Sequence, residues 1–401
     1  MVQHPQPEVL VVGAGPVGLA AALQLQDCGI RVQIIDRDRR TTQHSYALAI
    51  HPRTLRLLDQ CGVAARVIPQ GRKVTCVAFY EGAERRAQID FSRLTTGHPY
   101  LLLLRQSILE RALEGALRER KLKVRWGHRL QSLDAGATPP EAEIAELDEV
   151  TTGYPVATSE WVVVRTSRLL PAYVIGADGY DSFVRRAAGI EMDAVGPAEI
   201  FSVFEIEAEG ELPDEVRVLL GTGQTSVYWP LEPGRCRWGF QIAEPAQHVA
   251  TLDRLEALLR ERAAWFTARP QMIYWSTLGV FDRRLVRQFG RGRVWLAGDA
   301  AHQASPVGVH SMNHGLAEAN DLARQLANIL RAGADPGGIE QCARDAREAW
   351  SGLLGTGREV VALEGASPWI VANSRRILEC IQAAGEDLEA LLGQIGLAWP
   401  A

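Results

Sequence analysis

The chain reads as a mixed α/β protein: a nucleotide-binding domain on a parallel sheet, an inserted and mainly antiparallel β-sheet domain, and a helical C-terminus. Three observations predict this. The opening runs strand, glycine turn, helix, strand within its first 36 residues. From about 190 to 281 the texture changes to short β-rich runs broken by turns such as Glu232-Pro233-Gly234. The buried-strand pattern then returns at Val294-Trp295-Leu296-Ala297, and helical sequence fills most of the remainder from Met312 onward.

Taken in order, Val9-Leu10-Val11-Val12 is an apolar β-rich run suited to a parallel strand buried on both faces. Gly13-Ala14-Gly15-Pro16-Val17-Gly18 follows it, residues 19–28 are rich in helix formers, and Gly29 ends that helix. Arg31-Val32-Gln33-Ile34-Ile35-Asp36 is the next strand. Residues 107–120 form an amphipathic helix with Ile108, Leu109, Leu113 and Leu117 on its apolar side. The acidic stretch 134–154, with Pro139-Pro140, reads as an exposed hairpin or loop. Tyr173-Val174-Ile175-Gly176 is a short strand running into a loop, and one helix, 252–265, interrupts the later β-rich region.

The bulk composition narrows the function. With 401 residues, two packed domains are expected. A formal net charge of -5 argues against a nucleic-acid partner, and no apolar run is long enough to span a bilayer. The polar N-terminus runs straight into the first strand, so no signal peptide is expected and cytoplasmic residence is the default. The 6 cysteines are scattered singly with no C-x-x-C pair, so neither a metal nor thiol redox chemistry is expected. Demanding chemistry would fall to an organic cofactor.

Gly13, Gly15 and Gly18 form G-x-G-x-x-G at the end of a strand. The first glycine permits the turn, the second lets backbone approach a pyrophosphate, and the third allows close packing of helix on strand. Pro16 and Val17 open a helix whose free N–H groups carry partial positive charge. Asp36, ending the second strand beside Arg37, is placed to accept from adenosine ribose hydroxyls. The spacing thus predicts a Rossmann-like dinucleotide site.

A second motif, Gly298-Asp299-Ala300-Ala301-His302 followed by Pro306 and Gly308, resembles the class A flavoprotein monooxygenases, the para-hydroxybenzoate hydroxylase family. The resemblance implies FAD, with Asp299 on its ribityl chain. It also implies a helix N-terminus facing the pyrimidine end of the flavin, where Pro306, Gly308, Ser311, Met312 and Asn313 match. Free amides there would stabilise the anionic reduced ring. Gly176-Ala177-Asp178-Gly179 with Ser182 and Arg185 is similar to the family's D-G motif, implicated in FAD and NAD(P)H binding. Arg105-Gln106-Ser107 resembles its Arg-Gln step beside the flavin side chain, and Leu130 is carried over as a further cofactor contact. His51-Pro52-Arg53-Thr54 to Gly62 also fits, so the likeness runs from Val9 to about Leu330. Only one G-x-G-x-x-G unit is present, which fits a family where NADH or NADPH visits as a transient reductant.

These matches imply an FAD-binding domain over 1–189 and 282–335, with small substrate-domain elements at about 70–104. A substrate sheet over 190–281 and a helical segment over 336–401 complete the organisation. They also imply an NAD(P)H-dependent hydroxylase that passes oxygen, through a flavin hydroperoxide, to an aromatic (phenol-like or polycyclic) small molecule. The partners are then that substrate and O2, and a homodimer is left open. No side chain is obligatory as a catalyst; His310 is the one candidate, against a competing reading as a surface histidine where its helix starts. An aromatic strand face, with Trp238 and Phe240 alternating with polar residues and Tyr228 and Trp229 nearby, is the expected substrate wall; core packing is the competing reading.

Two departures bear on the reductant and on flavin mobility. Val309-His310-Ser311 replaces the family's glycine-rich step, and Tyr46-Ala47 stands where relatives carry an arginine, with Arg37, Arg39 and Arg40 nearby. The rivals are an FAD-dependent reductase of the geranylgeranyl reductase type and a flavin-binding protein without turnover. A halogenase is a third, but its W-x-W-x-I-P signature is not visible.

Overall fold

The computed structural model describes residues 6–40, 48–152 and 158–400. The nucleotide-binding sheet has five strands in the order Gly290–Arg291, Val294–Leu296, Tyr173–Gly176, Val9–Val12, Val32–Ile35. All pairings are parallel except at the Gly290–Arg291 edge. Val9–Val12 sits between two neighbours and under helices, and all four of its side chains are buried, as an uninterrupted apolar run requires.

Helix Pro16–Asp27 follows the first strand, capped by Gly15 without any side-chain bond. It packs with helix Gln106–Glu119 and helix His310–Ala332 in one apolar cluster that includes Leu19, Leu23, Leu113, Leu316 and Leu326. The contact between the first helix and His310–Ala332 is close. A Cβ on Gly315 would lie 2.7 Å from a Val17 methyl and 2.8 Å from the Gly298 Cα. Gly315→Ala is therefore expected to destabilise the protein by roughly 1–3 kcal/mol through overpacking, read as a lower urea midpoint at unchanged m-value.

The second sheet has eight strands: His302–Gln303, Arg269–Val286, Met192–Glu209, Arg235–Ile242, Thr225–Pro230, Val216–Leu220, Cys76–Glu81, Glu84–Asp90. Only Val216–Leu220 against Cys76–Glu81 is parallel. The early segment 76–90 thus joins strands well over a hundred residues later. One face of this sheet buries Phe204, Tyr228, Trp238 and Phe240 against helix Leu252–Arg262, Trp265 and Phe266. The other face looks toward the 306–309 loop.

The stretch read as a hairpin or loop over 134–154 is mostly strand. His128–Asp134, Glu141–Thr152 and Thr158–Leu169 make an antiparallel meander. Alternation is the reason: Ala142 and Ile144 turn into the core while charged neighbours face out. Beyond residue 335, helices Gly337–Leu353, Pro368–Cys380 and Glu386–Gln394 wrap back over the two sheets.

Candidate functional site

The three glycines after the first strand do different work. Gly13 has φ +102, and a Cβ there would lie 2.2 Å from the Ala177 carbonyl oxygen. A Cβ on Gly18 would lie 1.9 Å from the Gly13 carbonyl oxygen. Both are dictated by packing of the turn. Gly15 is the opposite case: nothing lies within 4 Å of where its Cβ would be. It opens onto a cavity of about 440 Å³ bounded by the glycine turn, Asp36 to Asp38, Gln106, Leu130 and Asp178-Gly179.

Asp36 holds this turn. Its carboxylate accepts from Ala14 N–H at 2.6 Å and from Asp38 N–H at 2.8 Å. Burial raises the Asp36 carboxyl above its ordinary value, and those two amides oppose the rise. Asp178 is spoken for inside the protein, accepting from Ser182 Oγ at 2.6 Å, Phe183 N–H at 2.7 Å and Val184 N–H at 3.1 Å. It caps the short helix Phe183–Ala187 and shapes the cavity wall. Arg37 and Arg40 line the rim, whereas Arg39 pairs with Glu149 at 3.0 Å and stacks on Trp161. The Tyr46-Ala47 departure lies outside the described residues.

Gly298 and Asp299 sit at the end of strand Val294–Leu296, with Gly298 packed on Val17, two residues from Gly15. The two distant motifs therefore pack against each other through Val17 and Gly298. Glu318 fixes the second: its carboxylate accepts from Gly298 N–H at 3.1 Å, His302 Nε2 at 2.8 Å and Trp350 Nε1 at 2.8 Å. His302 is thus a structural member of its motif. Asp299 is exposed, yet the surrounding protein displaces enough water to raise its carboxyl; His302 draws it down and Glu318 pushes it up.

The 306–310 loop leads into helix His310–Ala332, whose N-terminus has no side-chain cap. Val309 is left-handed, φ 51 and ψ 37, a conformation costing a β-branched residue roughly 1–2 kcal/mol. Asn313 compensates: its Oδ1 accepts from His51 N–H at 2.9 Å, and its Nδ2 donates to Ala49 O at 3.0 Å and Val309 O at 2.8 Å. Its amide is committed to backbone, while Ser311 and Met312 remain partly open at the first turn.

Three expectations need correction. His310 is not a surface histidine: it is 1% exposed, donates to the Glu379 carbonyl and meets the rings of His51 and His314. Burial lowers its pKa to about 4, so it stands neutral in a neutral imidazole cluster. Arg105 does not turn to the nucleotide cavity. Its guanidinium bonds Glu205 on the second sheet, and Gln106 faces the cavity instead. Tyr228, Trp238 and Phe240 lie in the core under helix Leu252–Arg262 and form no substrate wall. The alternation along the strands was readable; which face turns inward was not.

Trp229, one residue from Tyr228, does face the 306–309 loop. With Phe201, Trp275, Phe281, Arg237, Pro306 and Val309 it lines a narrow cavity of about 40 Å³. Arg237, 4% exposed, bonds Glu205 at 2.7 Å and lies under the Trp275 ring. Burial raises the Glu205 carboxyl, but Arg237 and Arg105 outweigh that and hold it below its ordinary value. Sequence alternation could have suggested Phe201 and Trp275; Arg237 and Glu205 gave no signal. A shallow hollow of about 570 Å³ on the meander, beside Asp134 and Glu141, carries none of the motif residues.

The sequence profile of the FAD binding domain family matches residues 6–354. The chain is 29% identical over 363 residues to 6-methylpretetramide 4-monooxygenase of Streptomyces rimosus, covering 89% of this chain and 62% of that protein. It is 27% identical over 384 residues to para-nitrophenol 4-monooxygenase of Pseudomonas sp. strain WBC-3, covering 91% and 86%. The crystal structure of p-nitrophenol 4-monooxygenase from Pseudomonas putida DLL-E4 superposes with a TM-score of 0.74 at 22% identity, over 97% of this chain and 96% of that one. The chain spans about three fifths of the length of the first of these relatives.

Proposed function

The chain belongs to the FAD binding domain family, and from that premise we propose that it is an FAD-dependent monooxygenase hydroxylating an aromatic small molecule with NAD(P)H and O2. One observation carries the reading. The narrow aromatic cavity of the second sheet ends on the same 306–309 loop that leads into the uncapped helix, while the nucleotide cavity opens from the glycine turn on the first sheet. A dinucleotide with its phosphates at Gly15 would have its ring end between those walls.

The residues present fit FAD. Gly15 leaves the space a pyrophosphate needs, and the N-terminus of Pro16–Asp27 is uncapped. Asp36 would accept from the adenosine ribose and Asp299, which is exposed, from the ribityl hydroxyls. The first turn of His310–Ala332 would receive the pyrimidine edge. When bound, the flavin supplies the oxygen chemistry. The protein orients the ring, excludes water with Trp229, Phe201, Phe281 and Trp275, and offers free amides to negative charge. Val309 and Pro306 would press the substrate between loop and sheet. Both relatives named above are monooxygenases by name, and one is named for a phenol, para-nitrophenol, which supports the substrate class.

The purified protein is expected to carry stoichiometric FAD and to consume O2 with NADH or NADPH, faster when a suitable phenol is added. Protein that gains no flavin absorbance on adding FAD would refute the assignment. NAD(P)H oxidation without oxygen uptake would move it to the reductase alternative. Among the described residues no helix is long and apolar enough to cross a membrane.

A further inference from the structure

The family match ends at residue 354, yet the chain beyond it returns beneath the loop assigned to the flavin. Three consecutive carbonyls of that loop each accept from a buried side chain. Val307 O takes Gln382 Nε2 at 3.1 Å, Gly308 O takes His51 Nε2 at 2.9 Å, and Val309 O takes Asn313 Nδ2 at 2.8 Å. Gln382 is 0% exposed and His51 1%. The segment also presses sterically: a Cβ on Gly308 would lie 2.5 Å from the Glu379 carbonyl oxygen, which itself accepts from His310.

In a trans peptide the C=O and the following N–H point opposite ways. Drawing the Val307 and Val309 carbonyls into the protein turns the N–H groups of Gly308 and His310 to the other side. Ser311 and Met312 add the free amides of the helix's first turn. Among the described residues none of these four N–H groups meets a protein backbone acceptor, and the helix has no side-chain cap.

We infer that Gln382, together with Asn313 on the Val309 carbonyl, is a positioning residue that fixes these peptide planes. The C-terminal segment, outside the FAD-binding match, thereby sets how strongly the site favours negative charge on the flavin's pyrimidine edge. The inference rests on the flavin placement proposed above. Gln382 acts through the loop and touches no reacting atom. Losing its donor frees the Val307 carbonyl to turn outward, and an oxygen facing the ring opposes the charge that the amides stabilise.

Sulfite provides the probe, because its addition to oxidised flavin leaves negative charge on that edge and bleaches the visible band. In Gln382→Met holoenzyme the sulfite dissociation constant is expected to rise about five- to tenfold, the effect of one lost buried hydrogen bond. The flavin reduction potential should fall by up to about 30 mV, which is tenfold for a two-electron couple. Gln382→Glu covers the case where the methionine variant does not fold. Its carboxyl can donate to Val307 O only while protonated, so its sulfite affinity should drop below the parent's as pH rises. A merely structural role would lower the unfolding midpoint and leave both readouts at parent values. Yellow variants with parent-like sulfite affinity and potential overturn the inference. Failure of the parent itself to bind FAD removes the flavin placement, and the inference with it.

Discussion

Gly15→Val is expected to abolish FAD binding while leaving the fold intact. Position 15 has ordinary backbone, φ -70 and ψ -179, so a side chain costs no strain there. Nothing in the protein lies within 4 Å of its Cβ, so a side chain meets no protein neighbour either. What it would meet is the ligand: an isopropyl group fills the space through which backbone approaches the pyrophosphate. Affinity should fall about 100-fold or more, roughly 3 kcal/mol, in a fluorescence titration with FAD. The urea midpoint of the FAD-free protein should stay at the parent value. Gly18→Ala makes the contrast. Its methyl would sit 1.9 Å from the Gly13 carbonyl oxygen, and backbone at both ends of that contact cannot yield. The fold itself should lose roughly 3 kcal/mol or more. A Gly15→Val protein that binds FAD like the parent would show that the phosphates do not lie there.

The second large effect is expected at Glu205→Ala. Glu205, 5% exposed, is shared by Arg237 on its own sheet and Arg105 at the start of helix Gln106–Glu119. Removing it leaves two guanidinium groups facing each other beside the aromatic cavity without the carboxylate between them. Truncating one partner of a buried ion pair typically costs about 3–5 kcal/mol, measurable by urea unfolding. The pH dependence has a fixed sign. The folded carboxyl lies below its unfolded value, so its stabilisation is complete above the unfolded pKa and disappears as pH falls through the folded one. The parent should therefore lose stability in acid more steeply than Glu205→Gln. Equal slopes below the ordinary glutamate range would count against a charged Glu205.

How much of this was legible in the sequence differs by kind of signal. Local, backbone-driven features were readable, because G-x-G-x-x-G, the strand-end Asp36 and the Gly298-Asp299 turn depend on spacing alone. Helix Gln106–Glu119 and helix His310–Ala332 carried a clear apolar period. Contacts between distant segments were not readable. Arg105 meets Glu205 across 100 residues, and Gln382 meets Val307 across 75. Period-2 alternation puts Trp229 and Tyr228 on opposite faces, although both were expected in the substrate wall, and it cannot say which side helix Leu252–Arg262 covers; Tyr228, Trp238 and Phe240 lie on the covered side. His310 misled for a related reason. Its burial depends on the Glu379 carbonyl, supplied by a segment no local pattern connects to it.

The order of strands in the first sheet has a consequence for how the protein is made. Val9–Val12 is flanked by Tyr173–Gly176, whose own outer neighbour is Val294–Leu296. The opening strand leaves the ribosome long before the last of these exists, on the order of tens of seconds at typical translation rates. Until then its apolar faces lack their final cover, and the helix after the glycine turn lacks the Gly298 contact at Val17. The opening segment is therefore exposed through that interval, and the glycine turn meets Gly298 only after residues 294–298 have been made.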